Sequence, residues 1–181
     1  MRCMAVGLVA VVLLAACGGG DSNGNSSEST DTAASADENG GQSSFVSDVR
    51  LAAEAVEAEL GGPQEFFEIT ATPQLTNVFV AVDSGTSAVP YIFVDGELQP
   101  PAPTIEGVEG QTFTSDELDF DQGSVLDGVT ADLPTATIDA FSVEGGSGGS
   151  VRYVISARSA QGGVLDIVVA PSGAVVEVIP L

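Results

Sequence analysis

The segment VRYVISARSAQGGVLDIVV, residues 151–169, decides how the chain folds. Val151 to Ala157 and Val164 to Val169 are runs rich in β-branched and aliphatic residues, separated by a short stretch that ends in Gly162-Gly163. This pattern predicts two antiparallel strands joined by a short loop. Side chains in a strand alternate between faces, so a slip of one residue would throw the whole apolar set onto the wrong side. Pairing Ser156 with Asp166 sets Ile155 against Ile167 and Tyr153 against Val169 on one face. It leaves Arg152, Val154, Ser156 and Arg158 on the other. Arg158 is then expected diagonal to Asp166 across the hairpin.

Outward from this hairpin, Thr135 to Val143 reads as a preceding strand and Ala174 to Ile179 as a closing one. A short helix is expected before them, through Val125, Leu126, Val129 and Leu133. The same order stands upstream. Val49, Ala53, Val56 and Leu60 recur at helical spacing, with Asp48, Glu54, Glu57 and Glu59 largely elsewhere, and Gly61-Gly62-Pro63 ends that helix. Phe66 to Ala71, Asn77 to Val82 and Val89 to Val94 alternate as strands, and Asp95-Gly96 marks a tight turn into Glu97-Leu98. Sliding the first unit by 73 positions puts Ala53 on Leu126, Val56 on Val129, Leu60 on Leu133, Val78 on Val151, Val80 on Tyr153 and Val82 on Ile155. An internal repeat is therefore expected. The fold class is α+β, with two tandem helix-plus-antiparallel-sheet units forming one continuous sheet with helices on one face. The first unit spans 45–103, a connector 104–121 and the second unit 122–181.

The run from Leu165 to Val176, two aliphatic stretches about Pro171-Ser172-Gly173, resembles the closing hairpin of PepSY-like domains. The doubled unit is similar to the tandem architecture of the secreted beta-lactamase inhibitor proteins. The PepSY turn usually begins with Asp where this chain has Ala170. The resemblance implies an architecture and carries no functional residue over to this chain.

Composition removes whole classes of chemistry. There are 26 acidic residues against four basic ones, all arginine, and the formal charge is -22, so a polyanion such as nucleic acid is repelled. Histidine, lysine and tryptophan are absent, and the only cysteines are Cys3 and Cys17. No Ser-His, Cys-His or Ser-Lys nucleophile system and no His or Cys ligand set for zinc or iron is possible. An internal disulfide in the mature chain is excluded as well.

The N-terminus explains both cysteines. Met1-Arg2 supplies a positive start, Met4 to Ala16 is an apolar run of 13 residues, and small residues precede Cys17. That is a signal-peptide layout, too short to span a bilayer, where ~20 residues are needed. Leu14-Ala15-Ala16-Cys17 resembles the bacterial lipobox. The resemblance implies cleavage before Cys17 by signal peptidase II and lipid on that residue. It implies two or more acyl chains, which physically make a lasting anchor where one does not. The signal peptide is 1–16. Residues 17–44 are then the lipidated cysteine and an acidic, disordered tether, for Gly18 to Ser44 contains no aromatic and no large aliphatic residue. A coil of this length reaches about 30 Å.

Three sets of residues invite a functional reading. Asp116, Glu117, Asp119 and Asp121 crowd one loop, as calcium would favour, but EF-hand spacing is missing, and the expectation is a solvated connector in which Asp121 caps the second helix. Tyr91 and Tyr153 lie within strand patterns and are expected in the core, which leaves no aromatic platform for a sugar. Arg50, Arg152 and Arg158 are the only cations of the processed chain. Arg152 and Arg158, with Ser156 between them, could anchor an acidic partner, and the plainer expectation is that they offset local acid. No catalytic residue, metal ligand or cofactor is assigned, and Cys17 is the one modification site expected. The expected function is that of a lipid-anchored, extracytoplasmic, non-catalytic module of the cell envelope that binds a protein or peptide through a sheet face. A carrier of an apolar ligand, or a hydrolase, is the alternative. A large apolar cavity would mark the carrier, and a filled core with an exposed apolar patch the binder.

Overall fold

The chain leaves its first helix where both Gly61 and Gly62 donate their N–H to the carbonyl of Glu57, at 2.9 Å each. That helix, α1, covers Gly40–Leu60. The computed structural model describes residues 40–181; the signal segment, Cys17 and residues 18–39 of the tether lie outside the described residues. The helix therefore takes in residues 40–44, which the polar composition had assigned to the tether. Ten strands follow: β1 (Glu65–Ala71), β2 (Thr76–Val82), β3 (Ser87–Val94), β4 (Glu97–Leu98), β5 (Ile105–Glu106), β6 (Phe113–Thr114), β7 (Thr137–Gly145), β8 (Val151–Arg158), β9 (Val164–Val169) and β10 (Val175–Pro180). A 3-10 turn over Ser115–Glu117 and a short helix, α2 (Asp127–Asp132), lie between β6 and β7.

The strands form one open sheet in the order β10-β9-β8-β7-β1-β2-β3-β4, with β5 beside β3 and β6 beside β1. Every pairing is antiparallel. The fold is α+β, and the single continuous sheet is as expected. Asp95 and Gly96 hold φ of 53° and 81° in the turn from β3 to β4, the left-handed pair that a two-residue hairpin turn demands and that Asp-Gly accommodates.

One face of the sheet is buried. Val46, Val49, Ala53 and Val56 of α1 meet Phe66, Ile69, Val78, Tyr91, Phe141, Ile155 and Ile167 in a single apolar cluster, to which Val125, Leu126 and Val129 add the second helical region. Leu60 departs from the amphipathic pattern. It stands at the end of α1, past the sheet, and is 45% exposed. The second helix is also shorter than expected, because Val125 and Leu126 lie in the turns before Asp127 and Leu133 lies just beyond Asp132.

The closing hairpin has the expected register: Ser156 pairs with Asp166, Ile155 with Ile167 and Tyr153 with Val169. Arg158 stands opposite Val164 and so diagonal to Asp166, as expected, but its ion partner is another residue: the guanidinium forks onto Asp139 of β7, with Nε and Nη2 each 2.7 Å from a carboxylate oxygen. Asp166 instead accepts from Ser156 Oγ at 2.8 Å. The cause is a β-bulge between Ile138 and Ala140, which brings Asp139 to the face that carries Arg158.

The offset of 73 needs correction too. Phe66, Ile69 and Ala71 hold the places in β1 that Ile138, Phe141 and Val143 hold in β7, a step of 72. Their partners Val80, Val78 and Thr76 correspond to Ala157, Ile155 and Tyr153, a step of 77. The step changes because β7 and β8 pair two residues further toward their turn, as far as Gly145 with Val151, and that turn is one residue longer, 146–150 against 72–75, which no ungapped slide can accommodate.

At the junction of helix and sheet, Arg50 of α1 donates to the carbonyls of Leu118 (2.6 Å) and Phe120 (3.2 Å) while its guanidinium carbon sits 4.6 Å from the Phe120 ring centre. Phe120 packs edge-on to Phe141 and Tyr153, at 5.1 and 5.6 Å, and the latter two stack at 6.2 Å. The Tyr153 hydroxyl accepts the N–H of Asp119 at 3.0 Å. The connector is thereby pinned onto the core through one guanidinium nitrogen, Nη2, which serves both carbonyls while the planar group lies over the Phe120 ring.

Two outcomes follow from this packing. Ile155 is fully buried, so Ile155→Ala should lower stability by about 2 to 5 kcal/mol, whereas Arg158→Ala, on an exposed pair, should barely move the urea midpoint. The reverse order in urea denaturation would mean the two faces are misassigned. Burial raises the pKa of the Tyr153 phenol above its ordinary value. The folded state then holds a proton that the unfolded chain sheds, so stability should fall as pH rises past about 10. Tyr153→Phe should flatten that fall in thermal melts between neutral and alkaline pH.

Candidate functional site

The face of the sheet away from the helices carries no covering layer among the described residues except one strap. After β5 pairs with the start of β3, the N–H groups of Gly107 and Val108 donate to the Thr86 carbonyl at 3.0 and 3.2 Å. The chain then runs from the outer side of β3 to the far side of β1. There Gln111 bridges Gly145, Thr112 Oγ1 donates to Glu65 at 3.2 Å, and Phe113 pairs with Phe66. A Cβ on Gly145 would run into the Gln111 carbonyl, so glycine is what lets the strap close against β7. The stretch expected to be a plain acidic connector, 104–121, thus supplies two short strands and the wall of a groove.

A cavity of about 350 Å³ lies between this strap and the sheet. Phe67, Phe79 and Ala88 line it from the sheet, and Ile105, Val108, Gly110 and Gln111 from the strap. Glu68, Glu109 and Glu144 bring carboxylates to its margin. Ile105 is 45% exposed, and Glu109, Gly110 and Gln111 are exposed, so the site is an open groove rather than an enclosed chamber.

A bulge makes the groove. The register of β1 against β2 shifts between Phe66 and Glu68, which lets Phe66 stay in the core while Phe67 and Glu68 both serve the bare face. The sequence did carry a signal. Two consecutive phenylalanines in an alternating strand cannot both face the core.

Glu68 and Glu144 stand directly opposite each other where β1 pairs with β7. Like charges placed so are unfavourable. Each has a partial remedy: Thr70 Oγ1 donates to Glu68, and Arg152 Nη1 lies 3.0 Å from Glu144. These are the cations' and hydroxyls' local tasks. Arg152 pairs with Glu144, Arg158 with Asp139 and Arg50 with connector carbonyls, so the three do not converge on one anion site.

The acidic run is spread over separate tasks. Glu117 accepts from the N–H and hydroxyl of Thr114, at 2.7 and 3.2 Å. Asp121 accepts from the N–H and hydroxyl of Ser124 at 2.8 and 2.7 Å, which lowers its pKa and holds the turn at 121–124; it does not cap α2 as expected, because that helix begins only at Asp127, with Leu126 as its N-cap and no side-chain cap. Asp116 and Asp119 are exposed. Among the described residues no three acidic, His or Cys groups converge as a metal would require. Tyr91 and Tyr153 are buried core residues, as the strand pattern implied.

Set against protein-family models, the curated proteins and the solved structures, the chain matches none of them.

Proposed function

We propose that this chain is a lipid-anchored binding module of the cell envelope, exported, cut before Cys17, and engaging a protein or peptide partner through the bare face of its sheet. The observation that carries this reading is the open apolar groove between the strap and strands β1 to β3. Its openness favours a partner that enters as part of a larger surface over a small molecule that must be enclosed, since ligand clefts usually bury most of what they hold. The opposite face is closed by a filled apolar cluster. The lack of His and Lys argues for binding without catalysis. Among the described residues no helix is long and apolar enough to cross a bilayer, so membrane attachment in this reading rests on lipid at Cys17.

We further propose that the two meanders, β1 to β4 and β7 to β10, are copies of one unit. Each first strand carries a bulge one step before matched pairs, Ile69 with Val78 and Phe141 with Ile155. The bulges have diverged in use. Phe67 in the first copy opens onto the groove, whereas Asp139 in the second is taken by Arg158.

Two experiments bear on the proposal. Cys17→Ala should abolish incorporation of labelled fatty acid and leave an uncut precursor or a soluble protein; unchanged labelling would end the lipoprotein reading. For the binding face, a photo-crosslinking amino acid placed at Ile105 on the strap should give adducts in intact envelopes, and one at Leu51 on the outside of α1 should not. Adducts from Leu51 alone would move the interface to the helical face and overturn the proposal.

A further inference from the structure

Accepting the bare sheet face as the binding face, we infer that the groove takes an extended peptide segment in which an aromatic or aliphatic side chain is flanked by lysine or arginine. The apolar lining from Phe67, Phe79 and Ile105 selects the first element. Its volume of about 350 Å³ is at the small end of the ~300 to 1,000 Å³ that ligand clefts span, which suits one or two side chains rather than a whole small molecule. The margin selects the second. Glu68 and Glu144 face each other across the β1–β7 pairing, and Glu109 stands on the strap above.

Arg152 is the sole cation at this margin among the described residues, and it balances one carboxylate of three. A partner's ammonium or guanidinium group seated between Glu68 and Glu144 would relieve the like-charge contact that the free protein tolerates. An acidic segment would meet three carboxylates, in a chain of formal charge -22. Such complementarity both speeds encounter and rejects wrong partners.

The test uses the folded protein and three fluorescent peptides of one length: alternating Lys and Phe, alternating Gln and Phe, and alternating Glu and Phe. Fluorescence polarisation should show the Lys peptide binding about tenfold more tightly than the Gln peptide, with the Glu peptide weakest. Raising the salt should erode the advantage of the Lys peptide. Ile105→Ala should weaken every peptide that binds, and the double variant Glu68→Gln, Glu109→Gln should remove the preference for Lys. Both changes avoid the helix-covered core, and an unchanged urea midpoint confirms that the variants are folded.

Equal binding of the Lys and Gln peptides would overturn the charge selection while leaving the groove as a binding site. No binding of any peptide, with crosslinks still formed from Ile105 in envelopes, would overturn the peptide chemistry and keep the binding face. Binding of the Lys peptide that Ile105→Ala leaves untouched would place it outside the groove and overturn the inference.

Discussion

The pairing of β1 with β7 is the constraint on which the rest of the molecule depends. Each meander alone would be four strands with two raw edges. Joined antiparallel from Glu68 opposite Glu144 to Ala71 opposite Phe141, they become one sheet whose central strands are paired on both sides. The seam also sets the faces. Ile69 and Val143 meet on the helix side, so Thr70 and Ser142 meet on the other, where their hydroxyls lie 2.8 Å apart. Because α1 packs over Phe66, Ile69 and Val78, one side of this continuous sheet is committed to the core and the other is free for recognition.

The bare face shows local choices that stability alone does not favour. Bulges interrupt β1, β7 and β10, and each places two consecutive residues on that face. One of these residues, Val176, is 67% exposed on the outermost strand. Two glutamates face each other over the seam beside an apolar groove. Natural folds concentrate such departures where they do something other than hold the fold together. The β1 bulge and the facing glutamates coincide with the strap, itself held by the close approach that Gly145 permits.

Much of the scaffold was legible because it follows from period and sign. The register of Ser156 with Asp166 could be read from apolar alternation, since only one pairing buries Tyr153, Ile155, Ile167 and Val169 together. The turn at Asp95-Gly96 and the end of α1 at Gly61 are likewise local matters of backbone conformation. The partner of Arg158 was not legible. A bulge inserts a residue without altering composition, and Asp139 reaches Arg158 only because of one. A uniform offset of 73 fails for a similar reason, since β7 and β8 pair further toward a longer turn than β1 and β2 do.

By itself, then, the sequence determined the main strands and their faces, the antiparallel order within each half, the exclusion of histidine, lysine and cysteine chemistry from residues 40–181, and the expectation of lipid at Cys17. These depend on residue type and on neighbours close along the chain. Only tertiary structure decided that β1 meets β7, that Arg50 grips the connector at Leu118 and Phe120, and that residues 107–112 cross to form a groove with Phe67 and Phe79. Those contacts join residues far apart in sequence. Short-range periodicity holds no record of them, because it fixes which side of a strand a residue faces and not what will come to lie against it.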